Sequence, residues 1–203
     1  KIVLGITGIL IIAGSISYWT ILDIGRLKRF SLFSLNTKLV LISTVILILL
    51  GSLAFLISEY TNDATIGNLN LVDKISVSLF ESISGRTAGF STVDFGQTQK
   101  HTNFFISALM FVGGASASVA GGIKINTIAI VIIAVFATIQ GKRHSTAFGR
   151  EISQNQIGRA MTIILIAMAF AATITETMVD ELDDNLVVPL VSGFIGQILS
   201  LAI

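Results

Sequence analysis

Cysteine is absent from this chain of 203 residues, and histidine occurs only twice. Without cysteine the chain has no disulfide, no thiolate nucleophile and no cysteine ligand for a metal, although this leaves its cellular compartment open. His101 and His144 are isolated and far apart in the sequence, so we expect no resident metal centre. Lys1 precedes an apolar run without an initiator Met or a small-residue cleavage site, which predicts that the chain begins inside a longer protein.

Charge is also scarce. Charged residues make up 12% of the chain and hydrophobic residues 53%, whereas soluble domains carry about 25% charged residues. The formal net charge of +1 gives no reason to expect nucleic acid as a partner. The apolar residues are concentrated in long stretches, which predicts an all-α integral membrane protein surrounded by lipid.

Four apolar stretches are near or above the roughly 20 residues that cross a bilayer. They cover residues 2–22, 39–57, 104–139 and 157–174. A fifth stretch, residues 186–203, is about long enough to cross but contains Pro189 and Gly193. The sequence therefore predicts a multi-pass protein.

Lysine and arginine cluster in two of the segments that connect these stretches. The clusters consist of Arg26, Lys28, Arg29 and Lys38, and of Lys142, Arg143, Arg150 and Arg159. The connecting segments 59–74 and 94–100 together hold four acids and two lysines. The positive-inside rule places both basic clusters in the cytoplasm and the two acidic segments outside.

A short amphipathic segment, Asp73–Ser84, is followed by the run Gly85–Thr92. The segment is too short to cross a membrane, which favours a re-entrant pore helix; a helix lying on the outer surface is the alternative. A selectivity filter needs backbone carbonyls that point at a common axis, and glycine permits the positive φ that this requires. A Thr-Ala-Gly-Phe sequence after a short helix suits such a filter, while an ordinary tight turn is the alternative.

The third apolar stretch is much longer than one span requires. Its centre, Gly113–Gly122, is rich in glycine, serine and alanine, which disfavour a regular helix. We therefore predict two half-helices on either side of an intramembrane loop. A small-residue packing face on one continuous helix is the alternative.

Two runs carry a family resemblance. Ser78–Asp94 resembles the third pore loop of Ktr-type potassium transporter membrane subunits, in the Trk/Ktr/HKT superfamily. In this family Arg-Thr-Ala-Gly-Phe is the filter sequence of that repeat. The resemblance implies that Gly89 is the filter glycine, with Thr87, Ala88 and Phe90 beside it, and we expect Arg86 to brace the pore loop.

The run Met110–Thr127 is similar to the broken inner helix that follows this filter, with a loop that gates the permeation path. The residues implied for the gate loop are Gly113, Gly114, Ala115, Ser116, Ala117, Ser118, Gly121 and Gly122. The family commonly has glycine at the position of Ala117, so the gating kinetics are expected to differ. Lys124 is a candidate for the inner pore; extension towards the cytoplasmic interface is its alternative.

The resemblance also implies a domain organisation. Residues 1–30 would be the inner helix of a preceding repeat, 31–141 a complete M1–pore helix–M2 repeat, 142–178 the outer helix of the next repeat, and 179–203 an atypical tail. A full transporter has four such repeats, so the repeat set is incomplete.

The tail has a second resemblance. Val179–Leu190 is similar to the carboxyl-terminal signature of CTP-dependent polyprenol (dolichol or phytol) kinases. A remnant of a membrane-bound lipid kinase and a non-functional truncated or fused fragment are therefore alternatives to the leading interpretation.

The leading interpretation is a non-enzymatic potassium (monovalent cation) uptake protein of the plasma membrane. Potassium is the transported ion, and no cofactor is expected in this chain. The resemblance further implies a homodimer that binds a cytosolic nucleotide-binding regulatory subunit.

Overall fold

The computed structural model describes residues 2–27 and 29–178 of the chain, and these residues are mostly helical. The helices are α1 (Ile2–Ser15), α2 (Tyr18–Arg26), α3 (Leu35–Glu59), α4 (Leu71–Ser84), α5 (Lys100–Phe111), α6 (Ile125–Ile139) and α7 (Gln154–Met178). A 3₁₀ turn covers Phe30–Leu32, and two short strands are β1 (Thr146–Ala147) and β2 (Arg150–Glu151). The kinase-like run at 179–190 lies outside the described residues.

The chain divides after Ala129 into two compact units. In the first unit, α3 packs against α4 and α5, and α1 packs against α4. One buried apolar cluster consists of Phe55 in α3, Ile66 in the segment after it, and Ile106 and Leu109 in α5. The carboxyl-terminal part of the predicted pore helix, residues 80–84, is buried, whereas Leu71, Val72 and Ile75 near its start are exposed.

Side-chain caps fix where three of the helices begin. Ser17, Ser34 and Asn70 precede α2, α3 and α4. Each side-chain oxygen accepts a hydrogen bond of 2.9–3.2 Å from the backbone N–H three residues later. Such caps satisfy N–H groups that have no partner within the helix.

The first apolar stretch differs from the straight span that the sequence predicted. α1 ends at Ser15, α2 begins at Tyr18, and the two axes differ by 102°. The Ser15 hydroxyl bonds back to the carbonyl oxygen of Ile12 at 2.9 Å, and Ser17 caps the new helix. Serine favours such local bonds over a continuous helix, which explains the break.

The described residues contain one helix, α3, that is long and apolar enough to cross a bilayer. The bent pair α1–α2 is a second candidate if it forms one broken span. That the α5–α6 segment and α7 also cross the membrane stays a prediction.

A small hairpin in the second unit was not predicted. β1 and β2 pair antiparallel, with Thr146 opposite Glu151. The two linking residues, Phe148 and Gly149, have φ of 51° and 74°. Positive φ at both positions is typical of a tight two-residue turn between strands. Strands of two residues show no alternation of apolar and polar residues, so the sequence carries no signal for them.

Candidate ion filter and adjoining loop

The predicted pore helix is α4, which begins two residues earlier than the sequence indicated. Residues 80–86 at its carboxyl end are all buried. At its other end Lys74 donates a hydrogen bond of 2.7 Å to the carbonyl oxygen of Tyr60 and lies 4.0 Å from the centre of its ring. Ser82 donates a hydrogen bond of 2.8 Å to the carbonyl oxygen of Ile48 in α3. The burial of residues 80–86 favours a re-entrant pore helix over a helix lying on the outer surface, and the pore helix stays a prediction.

The four residues of the candidate filter, Thr87–Phe90, leave helical geometry directly after α4. Thr87 has φ of 70° and Gly89 has φ of 77°, whereas the φ values of Ala88 and Phe90 are not in the positive region. Residues with positive φ thus alternate with residues whose φ is not positive, and the backbone here is neither helix nor strand. A Cβ added at Gly89 would meet no atom within 4 Å, so glycine is favoured there by its conformation rather than by lack of space.

A buried carboxylate holds the chain that leaves the candidate filter. Glu81 in α4 is 1% exposed and accepts hydrogen bonds of 2.7 Å from both the backbone N–H and the hydroxyl of Thr92. It also accepts one of 3.2 Å from the hydroxyl of Ser91. The Ser84 hydroxyl donates to the carbonyl oxygen of Phe90. These four hydrogen bonds tie the exit of the candidate filter back to its own pore helix.

A cavity of about 640 Å³ borders the candidate filter. Thr87, Ala88 and Phe90 line one side of it, and α1 residues such as Leu4 and Ile11 line another. Backbone carbonyl groups beside such a cavity can replace water molecules around a partly dehydrated ion.

The segment between α5 and α6 forms a loop, as the sequence predicted, and not a continuous helix. Its two ends pair: Gly113 donates to the carbonyl oxygen of Ile123, and Ile123 donates to that of Phe111, both at 2.9 Å. A Cβ at Gly113 would overlap the carbonyl oxygen of Gly121. The close approach of the two ends therefore requires glycine at this position.

Two hydrogen bonds join this loop to the candidate filter. Arg86, which is 3% exposed, donates from Nη2 to the carbonyl oxygen of Gly113 at 3.2 Å. Gly121 donates from its backbone N–H to the hydroxyl oxygen of Thr87 at 3.1 Å. Arg86 thus lines the cavity beside the candidate filter and also donates to the loop.

The end of α1 also holds the loop. Ala115 donates from its backbone to the carbonyl oxygen of Ser15 at 2.9 Å, and Val119 donates to that of Gly14 at 3.3 Å. The last carbonyl groups of a helix lack partners within the helix. The break after Ser15 makes these two available to the loop.

Polar side chains complete the attachment of the loop. Asn126 Oδ1 accepts from the hydroxyl of Ser116 at 2.8 Å and from its N–H at 3.3 Å, while Asn126 Nδ2 donates to Asn36 in α3 at 3.1 Å. The candidate inner-pore residue Lys124 donates from Nζ to the carbonyl oxygen of Ala120 at 2.5 Å. Lys124 is therefore bonded to the loop itself.

Two buried carboxylates were not predicted from the sequence. One is Glu81; the other is Glu59 at the end of α3, which is fully buried. Glu59 accepts hydrogen bonds from Asn62, Thr65, Gln99 and Thr102. An acidic residue within an apolar helix or a re-entrant segment was the available signal, because such residues need partners.

We predict that Glu81→Gln lowers the stability of the protein. An amide puts an NH2 group in place of one carboxylate oxygen, either the one that accepts from Thr92 or the one that accepts from Ser91, at a cost of about 1–3 kcal/mol. Thermal unfolding of the purified full-length protein in detergent measures the change. Asp63→Asn is the matched control, because it removes a carboxylate from an exposed outer residue. Equal melting temperatures for Glu81→Gln and Asp63→Asn would contradict the anchoring role.

Residues 4–186 match the family model "TrkH: Cation transport protein". Three known proteins show the same likeness. The chain is 38% identical over 173 residues to "Ktr system potassium uptake protein B" of Bacillus subtilis, covering 82% of this chain and 39% of that protein. It is 32% identical to "Potassium/sodium uptake protein NtpJ" of Enterococcus hirae, covering 83% of this chain and 39% of that protein.

The crystal structure of the potassium transporter TrkH from Vibrio parahaemolyticus has a similar fold, with a TM-score of 0.61 at 15% sequence identity. The likeness covers 85% of this chain and 39% of that one. The chain thus spans about two fifths of the length of the relatives that it matches. Because the family model matches most of its residues, the chain belongs to the TrkH family of cation transport proteins, a family of membrane transporters rather than enzymes.

Proposed function

We propose that this chain forms one pore-lining repeat, with parts of its neighbours, of a potassium uptake protein. The observation that carries the proposal is the backbone of Thr87–Phe90, where positive φ alternates with ordinary φ directly after a short buried helix. Carbonyl groups turned to one side can replace the hydration shell of a monovalent cation. Relatives named for the uptake of potassium, or of potassium and sodium, support this choice of ion.

One such segment supplies a quarter of a ring of carbonyl groups. We assign residues 1–30 to the preceding repeat, 31–141 to the complete repeat and 142–178 to the next one. α4 lies inside residues 31–141, which suits an M1–pore helix–M2 unit. Three further repeats would complete the ring, and ion flow then requires the full-length protein.

The loop Gly113–Gly122 acts in this proposal as the gate. Its bonds to Arg86 and Thr87 hold it against the residues of the candidate filter. Its bonds to Ser15 and Asn126 come from two other helices, so a shift of either helix can change the loop's position. Lys124 stabilises the loop through the carbonyl oxygen of Ala120.

The proposed assembly follows from the family resemblance. The full-length protein would form a homodimer in the plasma membrane and bind a cytosolic nucleotide-binding regulatory subunit. Cross-linking and mass measurement of the purified complex test this assembly independently of transport.

Gly89→Ser should lower potassium selectivity over sodium by about tenfold, equivalent to ~1.4 kcal/mol at the site. A side chain on a residue with φ of 77° strains the backbone that orients the carbonyl groups. The measurements are rescue of potassium-limited growth by the full-length gene and rubidium uptake in competition with sodium.

Gly149→Ser is the control for Gly89→Ser. Gly149 has φ of 74°, and a Cβ there also meets no atom within 4 Å, but it lies in the β1–β2 turn. The two variants therefore impose the same backbone strain at different places. Wild-type growth and selectivity in Gly89→Ser, at matched expression, would exclude Gly89 from the filter.

Asn126→Leu should increase passive rubidium flux through the full-length protein. The substitution keeps the approximate size of the side chain and removes the acceptor for the N–H and hydroxyl of Ser116, so the loop loses one attachment. Flux into proteoliposomes measures the effect. Asn68→Leu, in an exposed outer segment, is the control. Unchanged flux in Asn126→Leu would contradict gating by this loop.

A further inference from the structure

The second unit contains a cavity that the transport function does not use. It has a volume of about 430 Å³ and lies between the carboxyl half of α6 and the amino half of α7. Val135, Ile157 and Met161 form apolar walls, while Lys142 and Arg143 line it from the connecting loop. The cavity thus has apolar walls and two cationic residues at its edge.

The end of α6 fixes the position of that edge. Gly141 has φ of 65° and donates to the carbonyl oxygen of Thr138, and Lys142 donates to that of Ala137, both at 2.9 Å. This pair of bonds is the Schellman arrangement, in which a left-handed residue ends the helix. The backbone of Lys142 is therefore held directly at the mouth of the cavity.

The two cations have no ion-pair partner in the described part of the chain. The exposed carboxylate of Glu151 in the hairpin contacts His144, with its Oε1 2.7 Å from Nδ1 of the histidine. Lys142 and Arg143 are both exposed. Their charge is thus available to an anion that enters from outside the protein.

We propose that this cavity binds an anionic phospholipid of the inner leaflet. Its phosphate group would contact Lys142 and Arg143, and the upper part of an acyl chain would lie against the apolar walls. The positive-inside rule places this loop at the cytoplasmic surface, where anionic headgroups concentrate. Basic cavities between membrane helices on that side suit such headgroups. The proposal rests on membrane insertion and orientation, not on the ion filter.

The experiment is native mass spectrometry of the full-length protein with phosphatidylglycerol or phosphatidylcholine at equal concentrations. The wild-type protein should retain phosphatidylglycerol in preference to phosphatidylcholine. Lys142→Gln combined with Arg143→Gln should weaken phosphatidylglycerol retention roughly 10- to 30-fold, because each cation near the surface contributes up to about fivefold.

A second variant tests the cavity rather than its charge. Gly158 lines the cavity, and a Cβ added there would meet no atom within 4 Å. Gly158→Leu therefore fills the space with little strain in the helix and keeps both cations. It should also abolish the preferential retention of phosphatidylglycerol.

Arg150→Gln combined with Arg159→Gln is the matched control, because it removes two cations from the same region that do not line the cavity. Retention in this control should stay within about twofold of the wild type, since its cavity keeps both cations. An equal loss of phosphatidylglycerol retention in the control and test variants would show that only the general surface charge matters, and it would overturn the proposed site. Unchanged lipid retention in Gly158→Leu would overturn it too. So would a Lys142→Gln, Arg143→Gln variant that loses a bound cytosolic protein but retains the lipid. Rubidium uptake, measured in parallel, keeps a failure here distinct from a failure of the transport proposal.

Discussion

Backbone N–H and C=O groups that leave helical geometry at membrane depth need partners from the protein, because lipid offers none. In the first unit, two adjoining non-helical segments have such partners. The chain leaving Thr87–Phe90 is bonded by Glu81 and Ser84 of the pore helix. The loop Gly113–Gly122 is bonded by its own ends, by the end of α1 and by Asn126. The broken helices and buried polar side chains follow from this need.

The same constraint explains the contact between the two segments. Thr87 accepts from the loop through its hydroxyl oxygen, and Arg86 donates to the loop through its guanidinium group. Arg86 and Thr87 thus bond to the loop and also line the cavity that borders the candidate filter. Hydrogen bonds therefore connect the loop to the candidate filter, so a displacement of one changes the hydrogen bonds that hold the other.

Much of this arrangement could be predicted from the sequence, because its signals are local. The short helix α4, the two half-helices α5 and α6 and the intervening loop follow from length, amphipathicity and small-residue content. The break after Ser15 was missed, because its serines favour one only locally and the partners of the freed carbonyl groups, Ala115 and Val119, are about a hundred residues away. The role of Glu81 was hidden for a different reason: its partners follow the filter, and only the fold brings them back to α4.

Ala117 shows how a departure from a family pattern acquires a physical meaning. Its φ is 63°, in the region where an L-residue costs about 1–2 kcal/mol relative to glycine. The loop therefore keeps a backbone suited to glycine although alanine occupies the position. Stored strain of this size is small beside the many hydrogen bonds that hold the loop, but it favours other loop conformations.

The central claim is that the carbonyl groups of Thr87–Phe90 bind the transported ion. Anomalous scattering from rubidium in crystals of the full-length protein tests it most directly. The account predicts a peak beside the carbonyl oxygens of Thr87, Ala88 and Gly89, on the side of the cavity that borders them. Rubidium bound elsewhere in the protein, with none beside these three residues, would contradict it.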